Sequence, residues 1–482
     1  MTFVMIDQIT DFLSKEGWLN THLELVNDFL WGWHSLVFVL VLCGIYFTFR
    51  TKFVQFRMFP EMCRLLVESS PRGKEKHHVS SFQAFALSVA TRVGTGNLAG
   101  VAGAIAIGGP GAVFWMWLIA LIGSATAFVE STLAQLFKRR SRDSFIGGPA
   151  YYILHGLHSR WMAALFALLL ILTFGLSYNS IQSNTIAGAM RTAFNLDPVV
   201  SGVVLSVMAM IIVFGGIRRI VKFSSVIVPV MAIGYLVLAI VVLSLSYEHI
   251  PDMIALIFKS AFGIGPAAGG LVGAAMTSGI KRGLFSNEAG EGSAPHAAAT
   301  ALVSHPVKQG LIQALGVFTD TLLVCSCTAF IVLISGLYGS GADGIALTQK
   351  SLESQIGSAG QIFVAVAIFF FAFSSIIGNY YYGEANIMFL TRKRWMLQVF
   401  RFLSAGVMVM VGALASLDVV WSMGEVFMAI LTLCNLVAIV MLGKYAFKLL
   451  ADYRAQKKSG IKSPTFKKSL FPKLKDDIDA WE

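Results

Sequence analysis

The sequence predicts an all-α integral membrane protein of about eleven transmembrane helices, in which two five-helix sets of opposite orientation follow one extra N-terminal helix. Three observations carry this expectation. Of the 482 residues, 56% are hydrophobic and 13% charged, with a mean hydropathy of +0.72, beyond what a soluble domain carries. The apolar runs recur at lengths near the roughly 20 residues that cross a bilayer. Two of these runs are interrupted by glycines and polar side chains, and each opens a set of five.

The expected spans are 29–49, 82–107, 112–137, 161–194, 199–216, 224–245, 262–302, 311–337, 362–390, 402–417 and 419–447. They divide the chain into an N-terminal segment with the extra helix (1–79), a first repeat (80–248), a second repeat (249–450) and a basic tail (451–482). The stretch Met1 to Asp28 has no basic region followed by a short apolar core and small-residue cleavage site, so no signal peptide is expected. Five cysteines, odd in number and mostly within apolar runs, offer neither a disulfide framework nor a zinc spacing.

The net charge of +11 raises the question of nucleic acid, and its placement answers it. Alternating the spans collects Arg50, Lys52, Arg57, Arg64, Arg72, Lys74 and Lys76 at one end of the molecule. Lys138 to Arg142, Arg218, Arg219, Lys222, Arg392 to Arg394 and the tail lysines join them. Lys15, Arg191, Lys259 and Lys350 remain on the other side. The positive-inside rule then orients the chain with its N-terminus outside and its C-terminus cytoplasmic. The tail needs no nucleic acid and reads as an anchor near anionic lipid headgroups.

The interrupted spans contain "TRVGTGN" (Thr91 to Asn97) and "MTSGIKRGLFSNEAGEGSAP" (Met276 to Pro295). Non-helical backbone at membrane depth is tolerated only beside protein or a water-filled cavity, so both face inward as broken helices. Five spans per repeat invert the second repeat relative to the first, an architecture of secondary transporters with solute near the midplane. A helix restarting after a break offers free N–H groups to a carboxylate, and one stopping before it offers carbonyls to a small cation. Glycines at 94, 96 and 279 permit the torsions required.

"GTGNLAG" imitates a dinucleotide fingerprint, but its spacing is off by one and it lies inside a span. The fourth span carries Tyr178, Asn179, Gln182, Ser183 and Asn184, which either bond to neighbouring helices or line a solute site; Tyr178 and Gln182 share a face. In the ninth span Ser374 and Ser375 either bond back to their own helix or complete an oxygen shell for sodium. Arg92, Lys281, Arg282, Glu130, Glu288, Glu291 and Glu384 lie in or near spans, where unpaired charge is costly, and a gate network is expected toward the cytoplasmic side.

"TRVGTGNLAGVAGAIAIGGPGAVFWMW", "GGPAYYI", "GIKRGLFSNEAGEGSAP" and "NYYYGEAN" together resemble the alanine or glycine:cation symporter family, from about Phe82 to about Leu417. The resemblance implies a leucine-transporter-like fold with one added helix, in a bacterial or archaeal inner membrane. It also implies co-transport of sodium with a small neutral amino acid. By the same resemblance, Thr95, Gly96 and Asn97 receive the substrate carboxylate, and Thr277, Ser278 and Gly279 form the second break and meet its ammonium. Gln182 becomes a pocket residue, and sodium sits at Ala90, Val93, Ser374 and Ser375. Asn379 stands where many relatives carry tryptophan, which widens the substrate question from alanine or glycine to glutamine.

Two rival readings have distinct consequences. A proton-coupled transporter would relay protons through Glu130, Glu288 or Glu384 and work without sodium. An enzyme is disfavoured, because no serine–histidine, paired-aspartate or HExxH arrangement lies within the spans. Two broken helices at matching repeat positions also favour an occluding site over a channel.

Overall fold

A computed structural model describes residues 18–32, 36–68, 79–141, 145–263 and 268–481. Lys15, Arg72, Lys74, Lys76 and Arg142 lie outside the described residues. Among the described residues, eight helices are long and apolar enough to cross a membrane. The two broken helices and the shorter helix Pro198–Val213 bring the passes to the eleven expected.

The extra N-terminal pass comprises Trp18–Trp31 and α1 (Leu36–Arg50). The first repeat opens with α2 (Ser81–Arg92), whose start is fixed by a capping box. Ser80 Oγ accepts from the Gln83 N–H at 3.1 Å, and Gln83 Oε1 accepts from the Ser80 N–H at 2.9 Å. After the break come α3 (Val101–Gly108) and α4 (Ala112–Leu136). The next pass runs from Arg160 through a π-helical turn (Ile171–Tyr178) into α5 (Asn179–Phe194). The repeat closes with α6 (Pro198–Val213) and α7 (Gly216–Leu245).

The second repeat follows the same order. It opens with α8 (Ala268–Asn287), a break, and α9 (Ala294–Thr300). α10 (Pro306–Val317) continues through a π turn (Phe318–Cys325) to Ser335. The remaining passes are α11 (Ser358–Leu390), α12 (Arg394–Phe402) with its extension to Leu414, and α13 (Leu417–Lys458). The repeats also match in their connections, since each places a short helix between its second and third passes, Pro149–Gly156 and Gly344–Ile356.

Inversion is visible where the repeats meet. α3 packs on α8, and α2 packs on α9, so the two broken helices lie side by side in opposite directions. Near the start of one and the end of the other, the Leu302 N–H donates to the Val79 carbonyl at 3.1 Å. α6 and α7 turn Val203, Val207, Ile211, Val230, Ile233 and Val237 outward, the apolar belt that lipid requires.

Residues 459–481 depart from the picture of a headgroup anchor. They fold back onto the helix ends, burying Phe466, Phe471, Leu474, Ile478 and Trp481. Trp481 Nε1 donates to the Gln135 carbonyl at 2.8 Å, and the Phe466 N–H donates to the Ser304 carbonyl at 2.9 Å. Lysines dominate this stretch in composition, but its spaced aromatic residues decide where it packs.

Candidate functional site

The first break is built from the end of α2. Val93 leaves the helix at φ −80°, ψ 92°, and the chain regains helix through a π turn at Gly96–Gly100. The N–H groups just after the break therefore lack the partners a continuous helix supplies. The Gly94 N–H donates to Asn97 Oδ1 at 2.8 Å, and the Thr95 N–H donates to Gln182 Oε1 at 2.9 Å. A Cβ on Gly94 would lie 2.3 Å from Ser375 Oγ and 2.8 Å from Gln182 Oε1, so the approach of these side chains requires glycine. Thr95 Oγ1 is buried and has no hydrogen-bond partner among the described residues.

On the other side of Gly94 the expected cation ligands come together. Ser375 Oγ lies 2.9 Å from the Ala90 carbonyl and 3.5 Å from the Val93 carbonyl, and Ser374 Oγ lies 3.4 Å from the Ala90 carbonyl. Both hydroxyls also reach back to the Phe371 carbonyl, at 3.1 and 2.8 Å. The hydroxyls therefore bond back to their own helix and also reach the carbonyls that end α2. Two carbonyls at a helix C-terminus and two hydroxyls form a hard, all-oxygen donor set suited to sodium.

The second break lies further along the chain than Thr277, Ser278 and Gly279. Those three residues sit within the uninterrupted α8, where Ser278 Oγ donates to the Ala104 carbonyl at 3.3 Å. Their small size serves close packing against α3 and α4. The chain breaks instead where three residues take left-handed torsions, Glu288 (φ 56°), Gly290 (φ 96°) and Gly292 (φ 83°). The better sequence signal was "GEG", a pair of glycines one residue apart like the "GTG" of the first break. Glu130 pins the break by accepting from the Gly290 N–H at 3.3 Å, and Asn435 Nδ2 donates to Glu130 Oε2 and to the Gly290 carbonyl, each at 2.9 Å.

Asp320 had no place in the sequence reading and sits at the centre of the site. It is fully buried on the π turn after α10. Asn97 Nδ2 donates to its Oδ1 at 2.7 Å, while Ser286 Oγ and Thr321 Oγ1 donate to its Oδ2 at 2.7 and 2.8 Å. Its signal was a lone carboxylate inside an apolar run, at a depth where ionisable groups are expensive.

The polar row of the third pass of the first repeat divides by face. Gln182 and Tyr178 turn to the site, and Tyr178 OH lies 3.4 Å from both Glu291 oxygens. Asn179 and Asn184 bind the neighbouring pass, through Ser404 Oγ at 2.9 Å and the Gly412 carbonyl at 2.9 Å. Asn379 is buried one helical turn beyond Ser375, and among the described residues both its amide oxygen and its amide nitrogen lack hydrogen-bond partners.

Charge pairs occupy both ends of the bundle. At the α3 end Lys281 Nζ and Arg282 Nη2 meet Glu425 at 2.6 and 3.2 Å, and the Arg282 guanidinium stacks 3.9 Å over Trp421. Beneath it Phe285 lies between Trp421 and Tyr178, 4.7 Å from each ring. Above this lid is a cavity of about 140 Å³ bordered by Gly103, Asp343, Asp418 and Glu425. At the opposite end Arg401 bonds Tyr380 OH at 2.9 Å and Glu384 at 3.3 Å.

The family model described as "Sodium:alanine symporter family" matches residues 16–468. The chain belongs to the sodium:alanine symporter family. Among its relatives, "Probable sodium/glutamine symporter GlnT" of Bacillus subtilis is 50% identical over 460 residues, 95% of each chain. "Amino-acid carrier protein AlsT" of the same organism is 48% identical, covering 97% of this chain and 98% of its own. "Sodium/alanine symporter AgcS" of Methanococcus maripaludis is 36% identical, covering 86% and 93%. A manganese transporter of Eremococcus coleocola, 13% identical, superposes with a TM-score of 0.54 over 86% of this chain and 94% of that one. That likeness bears on the fold, which is leucine-transporter-like. As a member of the sodium:alanine symporter family the protein is a multi-pass membrane symporter and not an enzyme, and sodium is its co-transported ion.

Proposed function

We propose that the protein carries a small neutral amino acid into the cell with sodium by alternating access, the basic end of the molecule facing the cytoplasm. The observation that carries this reading is the break at Val93 to Asn97. There the carbonyls of Ala90 and Val93 face Ser374 and Ser375 on one side, and the Thr95 N–H faces Gln182 on the other. One broken helix thus presents an oxygen shell to sodium and an N–H to a substrate carboxylate. Gln182 turns its amide to let the carboxylate take the Thr95 N–H, and Asn97 holds the loop in shape. The substrate ammonium approaches the carbonyls of the second break at Glu288 to Gly292, because Thr277, Ser278 and Gly279 lie within the unbroken α8, where the backbone carbonyls are taken by the helix itself.

The amide of Asn379, without partners among the described residues, supports a substrate with an amide side chain. A buried amide left without partners costs about 1–3 kcal/mol, and a glutamine side chain supplies both donor and acceptor. Glutamine is therefore the preferred substrate, with alanine and glycine carried less well. Purified protein in liposomes, given an inward sodium gradient and labelled glutamine or alanine, should accumulate glutamine more strongly, and replacing sodium by choline should abolish uptake of both. Accumulation driven by a proton gradient without sodium would overturn the reading. Alanine winning over glutamine would remove the role given to Asn379.

A further inference from the structure

We propose that an anionic phospholipid binds in the cleft between residues 52–66, α4 and the π turn that follows α10. An acyl chain fills an apolar pocket there, the phosphate sits at Arg57 and Arg454, and the bound chain braces the π turn from outside. The site is independent of which solute is carried.

The segment after α1 is fixed in place. Beyond Arg50 the chain reverses through Lys52 and Phe53, which both take left-handed torsions (φ 56° and 57°). Side chains with a Cβ disfavour that region, and such strain persists only where the surroundings hold it. Here the Phe53 N–H donates to the Thr48 carbonyl at 2.8 Å. Gln55 Nε2 donates to Thr48 Oγ1 at 3.0 Å and to the Leu121 carbonyl at 3.3 Å, which pins the short helix Val54–Arg57 against α4.

Beside this helix lies a cavity of about 530 Å³, within the roughly 300–1,000 Å³ of small-molecule sites. Phe56 and Phe59 wall it on one side, Leu121 of α4 on another, and Phe318, Leu322 and Leu323 of the π turn on the third. Phe56, Phe59 and Leu323 are 52%, 43% and 42% exposed, so the cavity opens outward. α1, which leads into the segment, also turns Phe38, Leu42 and Phe49 outward, the surface that hydrocarbon covers. A hydrocarbon chain is the occupant that such walls admit.

Charge selects the headgroup. Lys52 and Arg57 are exposed, and the Arg57 guanidinium, which donates to the Thr51 carbonyl at 3.0 Å, lies within electrostatic reach of Arg454 near the end of α13. Glu61, one helical turn on from Arg57, is taken up by Arg64 and Lys457 at 2.7 and 3.0 Å. Among the described residues no carboxylate comes within 4.0 Å of Lys52, Arg57 or Arg454. A phosphodiester offers a guanidinium two oxygens, and a headgroup without a cation of its own leaves its whole charge to this cluster. Arg57 directly follows Phe56, so charge and pocket serve one ligand.

The π turn gives the site its consequence. One face of Phe318–Cys325 borders the cavity, and Phe59 meets Phe318 edge to face with ring centroids 5.8 Å apart. The same turn carries Asp320, which accepts from Asn97 Nδ2 at 2.7 Å. An acyl chain in the cavity therefore backs the turn that holds the first broken helix.

Native mass spectrometry of the delipidated full-length protein tests the site, with phosphatidylglycerol and phosphatidylcholine of identical chains as probes. The wild type should bind phosphatidylglycerol about tenfold more tightly, through the attraction of basic side chains near the membrane surface. Arg57→Gln combined with Arg454→Gln should remove that preference, and Leu323→Trp, which fills the pocket, should weaken binding of both lipids. Hydrogen exchange across Phe318–Cys325 should slow more with phosphatidylglycerol than with the same concentration of phosphatidylcholine. Equal affinity for the two lipids, a preference surviving the double substitution, or inorganic phosphate binding as tightly as the lipid would each overturn the site. Leu323→Trp without effect on either lipid would overturn the pocket, and exchange unchanged by phosphatidylglycerol would overturn the bracing of the turn.

Discussion

The side-chain oxygen of Gln182 lies 2.9 Å from the backbone nitrogen of Thr95, accepting from an N–H that the break in the helix has freed and that would suit a carboxylate. A substrate carboxylate therefore has to displace a neutral amide that can turn and donate to it. Gln182→Ala removes that donor and should weaken substrate affinity about tenfold, the worth of one hydrogen bond to a charged group. Gln182→Glu places an anion beside the same N–H and should weaken it by on the order of a hundredfold or more. Equilibrium binding of labelled amino acid to purified protein measures both, and equal affinities in the two variants would show that charge at this position is irrelevant.

Gly94 lies between Ser375 and Gln182 with no room for a methyl group. Gly94→Ala forces a Cβ to within 2.3 Å of Ser375 Oγ, pushing the hydroxyl away from Ala90 and Val93. Sodium-dependent uptake should fall to near background while the protein still runs as a single species on size exclusion. Normal uptake by this variant would mean that the break relaxes freely.

The two serines should differ in weight. Ser375 Oγ is the nearer to the Ala90 carbonyl, at 2.9 against 3.4 Å for Ser374, whose hydroxyl bonds more closely to Phe371 at 2.8 Å. Ser375→Ala should raise the sodium concentration for half-maximal transport by about tenfold, and Ser374→Ala by less. Sodium titrations of initial uptake rate compare them, and the reverse order would place the ion nearer Ser374.

Outside the spans, Glu61 on the short helix Phe59–Leu66 ties that helix to the end of α13. Burial pushes its carboxyl up, but hydrogen bonds from Arg64, Tyr453 and Lys457 outweigh it and bring the group down from 4.5 to about 2. A folded-state value below the unfolded one contributes stability that is present above pH 4.5 and lost as the pH falls toward 2. The melting temperature of the wild type should therefore exceed that of Glu61→Gln at neutral pH, and the gap should close over that acid range. A gap that stayed constant would mean that the carboxyl titrates as if it were exposed.

The fold was legible because each pass is a long apolar run and the basic residues alternate in placement. The first break was legible too, since "GTGN" can hardly sit in a lipid-facing helix. The second break was misplaced because "TSG" and "GEG" occupy the same run. Which pair breaks a helix depends on whether a neighbour such as Glu130 or Asn435 receives the freed backbone groups. Asp320 was hidden for a related reason, since its partners Asn97 and Ser286 are distant in sequence and meet only in the folded bundle. The packing of residues 459–481 was obscured by their lysines, which dominate the composition of a stretch whose aromatic residues are few but regularly placed.

The two breaks also touch one another directly. A Cβ on Gly96 would lie 3.1 Å from the Ser286 Cα and 3.0 Å from the Phe285 ring, so backbone meets backbone across the plane that divides the repeats. The two halves, whatever their common ancestry, can no longer vary as separate inheritances at this point. An allele that enlarges Gly96 can regain fitness only through a second-site change around Phe285 or Ser286, and a genetic screen for revertants would find the two repeats paired there.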